Sequence, residues 1–211
     1  MAWTYCITDR RTCDVPILQQ VQRAVRAGID YLQIREKDLP TRELLSLALK
    51  AREITKGYAT QILVNDRLDI ALAANLRGIH LSQTSPPPDV IRPRVSRKKF
   101  LIGVSTHNVE EVRRAIQNGA DYVIFGPVFA TPSKLRFGPP RGLSALRETV
   151  RYSNRPVLAL GGIDQGNFSE CLAQGAAGIA AIRLFQQPNP NLQEVVRAIS
   201  SHRPKIFHMI G

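Results

Sequence analysis

The sequence predicts an α/β fold, a single (β/α)8 TIM barrel spanning residues 1–211, on three observations. Four glycines, Gly28, Gly78, Gly119 and Gly175, each close a helix-like stretch just before an apolar run, which is the mark of a repeated helix-then-strand unit. The runs are short and rich in Val, Ile and Leu with little alternation, as strands buried on both faces of a parallel sheet are. Eight of them alternate with helical stretches and close most naturally into a barrel. The rival, an open doubly wound sheet, lacks its Gly-x-Gly-x-x-Gly signature after the first run.

In chain order, strands are expected at 5–7, 31–34, 62–64, 78–81, 101–104, 122–125, 157–160 and 179–182. Helices are expected at 42–55, with Thr41 as N-cap and Leu44, Leu45, Ala48 and Leu49 as its apolar face, and at 109–118. Two loops carry strong breakers: Pro86, Pro87 and Pro88, and the 132–142 segment. The second is long for a βα connection and holds Lys134, Arg136 and Arg141, so it reads as a mobile active-site loop. The tail at 203–211 is irregular and takes no assigned function.

At 211 residues the chain can bury one core, and its 44% hydrophobic and 22% charged composition is that of a soluble globular protein. No apolar run reaches the roughly 20 residues of a membrane span. The first residues enter a strand without the basic and apolar regions of a secretory signal, so a cytoplasmic location is expected. Cys6, Cys13 and Cys171 lie at no metal-ligand spacing and read as reduced thiols. The net charge of +12 invites a nucleic-acid reading. Only Arg92, Arg94, Arg97, Lys98 and Lys99 cluster, however, and no aromatic residues interleave with them, so a solvated basic face is the expectation.

In a barrel, the residues just past each strand converge on one face. Here these are Arg35 and Lys37 after the second strand, Asn65 and Asp66 after the third, and Gln83 after the fourth. Ser105 and His107 follow the fifth, Thr131, Ser133 and Lys134 lie in the loop after the sixth, Gly161 and Gly162 follow the seventh, and Arg183 the eighth. Cations, one carboxylate, hydroxyls and a glycine pair make a site for a phosphorylated substrate and Mg²⁺. The Gly161 and Gly162 amides, before a helix, suit a phosphate.

Several motifs now stand in order: Ile7-Thr8-Asp9, Gln33-Ile34-Arg35-Glu36-Lys37, Val64-Asn65-Asp66-Arg67, Gly78-Ile79-His80-Leu81-Ser82-Gln83, Gly103-Val104-Ser105-Thr106-His107, the stretch from Gly126 to Lys134, and Gly161-Gly162-Ile163. In that order they resemble the thiamine phosphate synthase and TenI family, from Tyr5 to about Phe185. The resemblance implies a (β/α)8 barrel in thiamine biosynthesis that joins hydroxymethylpyrimidine pyrophosphate to a thiazole phosphate and releases pyrophosphate. By similarity, Gln33, Arg35, Lys37 and Asn65 hold the pyrimidine pyrophosphate, Asp66 holds Mg²⁺, and Ser105 and Lys134 hold the leaving group. Thr131, Ser133 and the amides near Gly162 and from Ile182 to Arg183 hold the thiazole phosphate. The implied partners are these small molecules, with neither nucleic acid nor membrane; homo-oligomerisation is left open.

The chain also departs from the family pattern. Where synthases usually carry Gly-Gln-Glu-Asp, whose last Asp is a second Mg²⁺ ligand, this chain has Ser82-Gln83-Thr84-Ser85. Arg183 stands where a small or hydroxyl residue is common, and either binds phosphate or narrows the pocket. The family's other activity is a TenI-type thiazole tautomerase, which needs no metal and would use His107 as its proton carrier. A third reading is a regulatory barrel that binds thiamine precursors without turnover.

Blander readings stand beside these. Arg35, Glu36 and Lys37 can form a solvated ion-pair run. Asp66 can cap the third helix and Ser105 the fifth. His107 can be a satisfied polar residue and Lys134 merely exposed. His80, inside a strand, reads as structural, and His202 and His208 as surface residues.

Overall fold

In the computed structural model, which describes residues 1–95, 99–131, 139–186 and 191–202, the repeating unit is a helix ended by a left-handed residue, with a strand beginning three residues later. Gly28, Asn75, Gly119 and Gly175 take φ of 85°, 49°, 99° and 92°. The strands that follow start at Tyr31, Gly78, Tyr122 and Gly178. At each end two amides turn back onto the last helical turn, as where Gly28 N donates to Val25 O and Ile29 N to Ala24 O. These bonds satisfy carbonyls that a helix end leaves open. The expectation at Gly78 is thereby corrected. Asn75, one of the few side chains that tolerate this conformation, ends the helix. Gly78 belongs to the strand, where a Cβ would overlap the Leu101 carbonyl oxygen.

The elements run β1 (Trp3–Ile7), α1 (Ile17–Ala27), β2 (Tyr31–Ile34), α2 (Thr41–Ile54), β3 (Gln61–Asn65), α3 (Leu68–Ala73), β4 (Gly78–Leu81), α4 (Pro88–Ile91), β5 (Leu101–Thr106), α5 (Val109–Gln117), β6 (Tyr122–Phe125), α6 (Gly142–Tyr152), β7 (Val157–Leu160), α7 (Phe168–Ala173), β8 (Gly178–Ala181), α8 (Arg183–Gln186) and α9 (Leu192–Ser201). The strands close in sequence order into a parallel barrel. Closure comes from β1 on β8, with Trp3 opposite Gly178 and Cys6 opposite Ala181. Every expected strand is present, with ends moved by at most two residues.

Two layers of core explain the unbroken apolar runs. Tyr5, Ile7, Leu63, Tyr122, Ile124, Leu158 and Ala180 fill the barrel interior. Their strand neighbours Cys6, Val64, Val123, Ala159 and Ile179 point outward into the layer under the helices. Each strand therefore buries both faces, and each fully buried aliphatic side chain contributes roughly 1.5–3 kcal/mol.

The α2 face is rotated from the expected one. Leu44, Leu47, Ala48 and Ala51 are buried, Leu45 is half-buried and Leu49 is 42% exposed. That set follows the i, i+3, i+4, i+7 spacing of one helical stripe, whereas the expected set follows side-chain size. Pro40 occupies the N-cap position and no side chain caps the helix. Thr41, its first residue, uses its Oγ1 to accept from Arg67 at 3.0 Å.

In the basic cluster, Arg92 is a structural tie. Its guanidinium donates to Phe100 O, Gly119 O and, at 2.5 Å, the Asp121 carboxylate. Arg97 and Lys98 lie outside the described residues. The three thiols are free; Cys6 and Cys171 are buried, and burial pushes both up to about 12. Among the described residues, no helix is long and apolar enough to cross a membrane.

Candidate functional site

Parallel closure brings all eight strand ends to one mouth. At the β2 and β3 ends, Gln33 Nε2 donates to Asn65 Oδ1 at 2.9 Å, and Asn65 Nδ2 donates to Asp66 Oδ2 at 2.6 Å. Gln33 is 1% exposed, and its Oε1 has no partner, so one end of a buried amide is open.

Asp66 takes φ of 59°, left-handed, where the chain turns off β3. It does not cap α3, whose N-cap position is Arg67. Its carboxylate faces the loop after β4. Oδ1 accepts from the Ser82 amide at 2.9 Å and from the Ser85 hydroxyl, and Oδ2 accepts from Ser82 Oγ at 3.2 Å. Ser85 thus sits against Asp66 at the position where the family pattern has an acid.

The run Arg35, Glu36, Lys37 is not a set of mutual ion pairs. Glu36 is 4% exposed and accepts from Thr8 Oγ1 at 2.6 Å, from the Arg10 amide, and from the Arg10 guanidinium at 3.2 Å. Arg10 also grips both oxygens of Asp38, which Arg11 joins at 2.7 Å. The Arg10 hydrogen bonds hold the Asp38 carboxyl well below the usual range. This network ties the loop after β1 to the loop after β2. Arg35 is half-buried beside it; its amide donates to Thr8 Oγ1 at 3.0 Å. Among the described residues, the Arg35 guanidinium and the exposed Lys37 take no carboxylate, whereas Arg10, Arg11 and Arg67 all do. Lys37, Glu36, Asn65, Asp66 and Arg67 line a cavity of about 250 Å³.

Across β4, β5 and β6, His80 Nε2 lies 2.9 Å from Ser105 Oγ, and His80 Nδ1 lies 3.3 Å from Tyr122 Oη. Burial pulls the imidazole down to about 3, so the ring is neutral. Ser105 does not cap α5; Asn108 does, accepting from the Glu111 amide. His107 and Gln83 converge on Glu111. The His107 amide and Nδ1 lie 2.8 and 3.1 Å from Glu111 Oε2, and Gln83 Nε2 lies 3.1 Å from it. Gln83 Nε2 is also 2.9 Å from His107 Nδ1.

The β6 to β8 side is built mostly of backbone. Gly161 and Gly162 take φ of 102° and 63°. A Cβ on Gly161 would meet Pro127 at 2.5 Å, and one on Gly162 would meet Ala130 O at 2.5 Å. Arg183, the first residue of α8, reaches over to donate to Thr131 Oγ1 at 3.2 Å. Ile182 packs on the barrel-interior cluster, and its carbonyl receives the Phe185 and Gln186 amides. Ser133, Lys134 and the 132–138 part of the loop expected at 132–142 lie outside the described residues, and Gly142, the last residue of that expected loop, begins α6.

The predicted residues thus gather in bonded groups: Gln33 with Asn65 and Asp66, Gln83 with His107, and Thr131 with Arg183. Sequence reasoning missed Thr8, Arg10 and Glu36, which fix the loops, and Glu111 and Tyr122, which position His107 and His80. Only Glu36 had a visible signal, an acid embedded in a basic run.

The family model described as thiamine monophosphate synthase, TMP-TENI, matches residues 4–185. The chain belongs to the thiamine monophosphate synthase family. A thiamine-phosphate synthase of Methanocella arvoryzae is 45% identical over 161 residues, 76% of each chain. One from a Roseiflexus species is 40% identical over 188 residues, 88% of this chain and 79% of the relative. The solved thiamine phosphate pyrophosphorylase of Pyrococcus furiosus superposes with a TM-score of 0.83 at 33% identity, covering 93% of this chain and 94% of that one. The family match covers all eight strands but for Trp3, the first residue of β1, and leaves α9 outside.

The family resemblance implies Mg²⁺, and the donor set fits it in one form. Among the described residues, no group of three His, Cys, Asp or Glu side chains could cage an ion. One carboxylate, Asp66, together with the phosphate oxygens of a substrate, is a set Mg²⁺ accepts. The ion fits as a partner of the substrate and not as a resident of the empty protein, because both Asp66 oxygens already accept hydrogen bonds.

Proposed function

We propose that this chain is a thiamine phosphate synthase that couples hydroxymethylpyrimidine pyrophosphate to thiazole phosphate and releases pyrophosphate, as a single domain working in the cytoplasm. The observation that carries the reading is the open end of the buried Gln33 amide, two residues before the Arg35 cation, which takes no carboxylate among the described residues. A buried amide without its partner costs free energy unless a ligand supplies one, and an N–H-bearing heterocycle does. An anion held by Arg35 follows one residue-pair further along β2.

Pyrophosphate departs from a benzylic-like carbon through a cation-like transition state. Catalysis therefore requires positive charge aimed at the departing oxygens more than it requires a general base. Arg35 and Lys37 supply it from the β2 end, with Lys134 in the same role by family similarity. Each charge-assisted hydrogen bond contributes about 1.5–3 kcal/mol, so a few of them lower the barrier by several decades in rate. Gln33 and Asn65 orient the pyrimidine, and Thr131, Ser133, Gly161, Gly162, Ile182 and Arg183 receive the thiazole phosphate. Asp66 would hold Mg²⁺ against the pyrophosphate, where the ion neutralises developing charge.

The experiment is a coupling assay with both substrates, with and without Mg²⁺, following thiamine phosphate. Mg²⁺-dependent product is expected; no product from folded protein at any Mg²⁺ concentration refutes the synthase. The second reading, a thiazole tautomerase, is favoured by the His107 to Glu111 contact at 3.1 Å, which orients an imidazole as a proton carrier. Proton shift on thiazole carboxylate phosphate, lost in His107→Ala, would establish it.

A further inference from the structure

Among the described residues, Tyr5, Tyr122, His80 and Ser105 form one unbranched line of hydrogen bonds from the barrel interior to the mouth. Tyr5 Oη lies 2.8 Å from Tyr122 Oη, Tyr122 Oη lies 3.3 Å from His80 Nδ1, and His80 Nε2 lies 2.9 Å from Ser105 Oγ. Tyr5, Tyr122 and His80 are 0%, 1% and 3% exposed, and only Ser105 is half-buried. The line has room to exist because β5 carries Gly103, where a Cβ would overlap the end of the Tyr122 ring.

A neutral imidazole carries one ring proton, so the line has two possible directions. If Ser105 gave its proton to His80, then His80 would give Nδ1–H to Tyr122, and Tyr122 would give its own to Tyr5. The Tyr5 hydroxyl proton would then be stranded in the barrel interior, where Tyr5 is closed off from bulk solvent and, among the described residues, Tyr122 is that oxygen's hydrogen-bond partner. In the opposite direction every buried proton has an acceptor. Tyr5 donates to Tyr122, Tyr122 to His80 Nδ1, and His80 Nε2–H to Ser105 Oγ. Only lone pairs are left over inside, and an oxygen with an unused lone pair is better tolerated than a stranded proton.

We infer that the buried end of this line fixes its direction, so that Ser105 is left with its O–H free to donate to an anionic oxygen bound at the mouth. Tyr5, Tyr122 and His80 are positioning residues for that donor. Donors in series also polarise one another, which strengthens the last bond when its acceptor is charged. The identity of the anion, the pyrophosphate of the substrate, rests on the proposed synthase reading; the direction of the line does not.

The test reads the direction itself, in ligand-free protein with ¹⁵N-labelled histidine, by long-range proton–nitrogen correlation of the imidazole rings, with His80→Gln to assign the His80 signals. His80 is expected as the Nε2–H tautomer with Nδ1 accepting. An Nδ1–H tautomer, or a doubly protonated ring, at neutral pH overturns the inference. Tyr5→Phe leaves the Tyr122 proton with His80 as its only acceptor in the line, so the tautomer is expected to persist, and a switch overturns it.

The consequence at the mouth is read by calorimetric titration with inorganic pyrophosphate at fixed Mg²⁺. Tyr122→Phe is expected to weaken pyrophosphate binding roughly three- to tenfold. In a Ser105→Ala background the same change is expected to cost nothing more. An equal further loss there would mean that Tyr122 acts by packing alone, and would overturn the relay. Neither readout needs turnover, so a protein that fails to couple its substrates but shows the Nε2–H tautomer refutes the synthase and leaves the ordered line standing.

Discussion

On the β1 to β3 side of the mouth, side chains hold one another: Glu36 with Thr8 and Arg10, Gln33 with Asn65, and Asp66 with Ser82 and Ser85. On the β6 to β8 side, left-handed glycines lie so close under the segment after β6 that no side chain fits, and the Arg183 guanidinium reaches across to Thr131. Under the proposed function, the first side meets its ligand by charge and amide chemistry, whose strength can be graded by substitution. Under the same proposal, the second meets it by shape, which a single methyl group would disturb. One side should therefore respond to what a residue is, and the other to whether it has a Cβ.

The largest effect is expected at Gly162. Alanine there carries a strained φ and a Cβ against Ala130 O and Phe129, so the segment after β6 must move. Such strain costs about 1–3 kcal/mol. Misplacement of a substrate by about an ångström costs on the order of a hundredfold in rate. Thermal unfolding and steady-state coupling of Gly162→Ala measure the two losses; a variant with parental kinetics would break the comparison.

Arg35→Ala is expected next, lowering kcat/KM for the pyrimidine pyrophosphate roughly thirtyfold, as the loss of one charge-assisted contact predicts. Arg35→Lys should recover part of this, and that recovery separates graded charge from shape. A third change sharpens the metal assignment. Ser85→Asp would place two carboxylates face to face, so the Mg²⁺ concentration for half-maximal coupling should fall on the order of tenfold. A Mg²⁺ titration of the variant beside the parent tests this, and an unchanged midpoint would remove Asp66 as the metal ligand. The smallest effect is expected at Arg183→Ala, where KM for thiazole phosphate rises roughly two- to fivefold with kcat unchanged. A fall in KM would mean that Arg183 narrows the pocket.

How much of this was legible depended on whether the controlling contact was local. The strands could be read because both of their faces are buried, which leaves continuous apolar runs such as Tyr122–Phe125. Asn75 could not be read as a helix end, because a nearby glycine, Gly78, offered a stronger signal for a different reason. The α2 face was misread where size and spacing disagree, at Leu47 and Ala51 against Leu45 and Leu49. The mouth residues were legible one by one, as polar breaks at strand ends. Their pairings were not, because they depend on register between strands: Gln33 meets Asn65, and His80 meets Ser105, only once the barrel has closed. Glu36 illustrates the limit. Its neighbours in sequence suggested surface ion pairs, while its partners, Thr8 and Arg10, lie 26 or more residues away.

Closure by β1 on β8 also bears on how the chain is made. The first strand of the barrel leaves the ribosome with one edge promised to residues Gly178–Ala181, 175 residues further along at the Trp3 to Gly178 pair. Until those residues follow, the sheet has an unpaired edge, and closing it costs the loop entropy of all the residues between. An unpaired strand edge of that kind is where a growing chain is most open to pairing with the wrong partner.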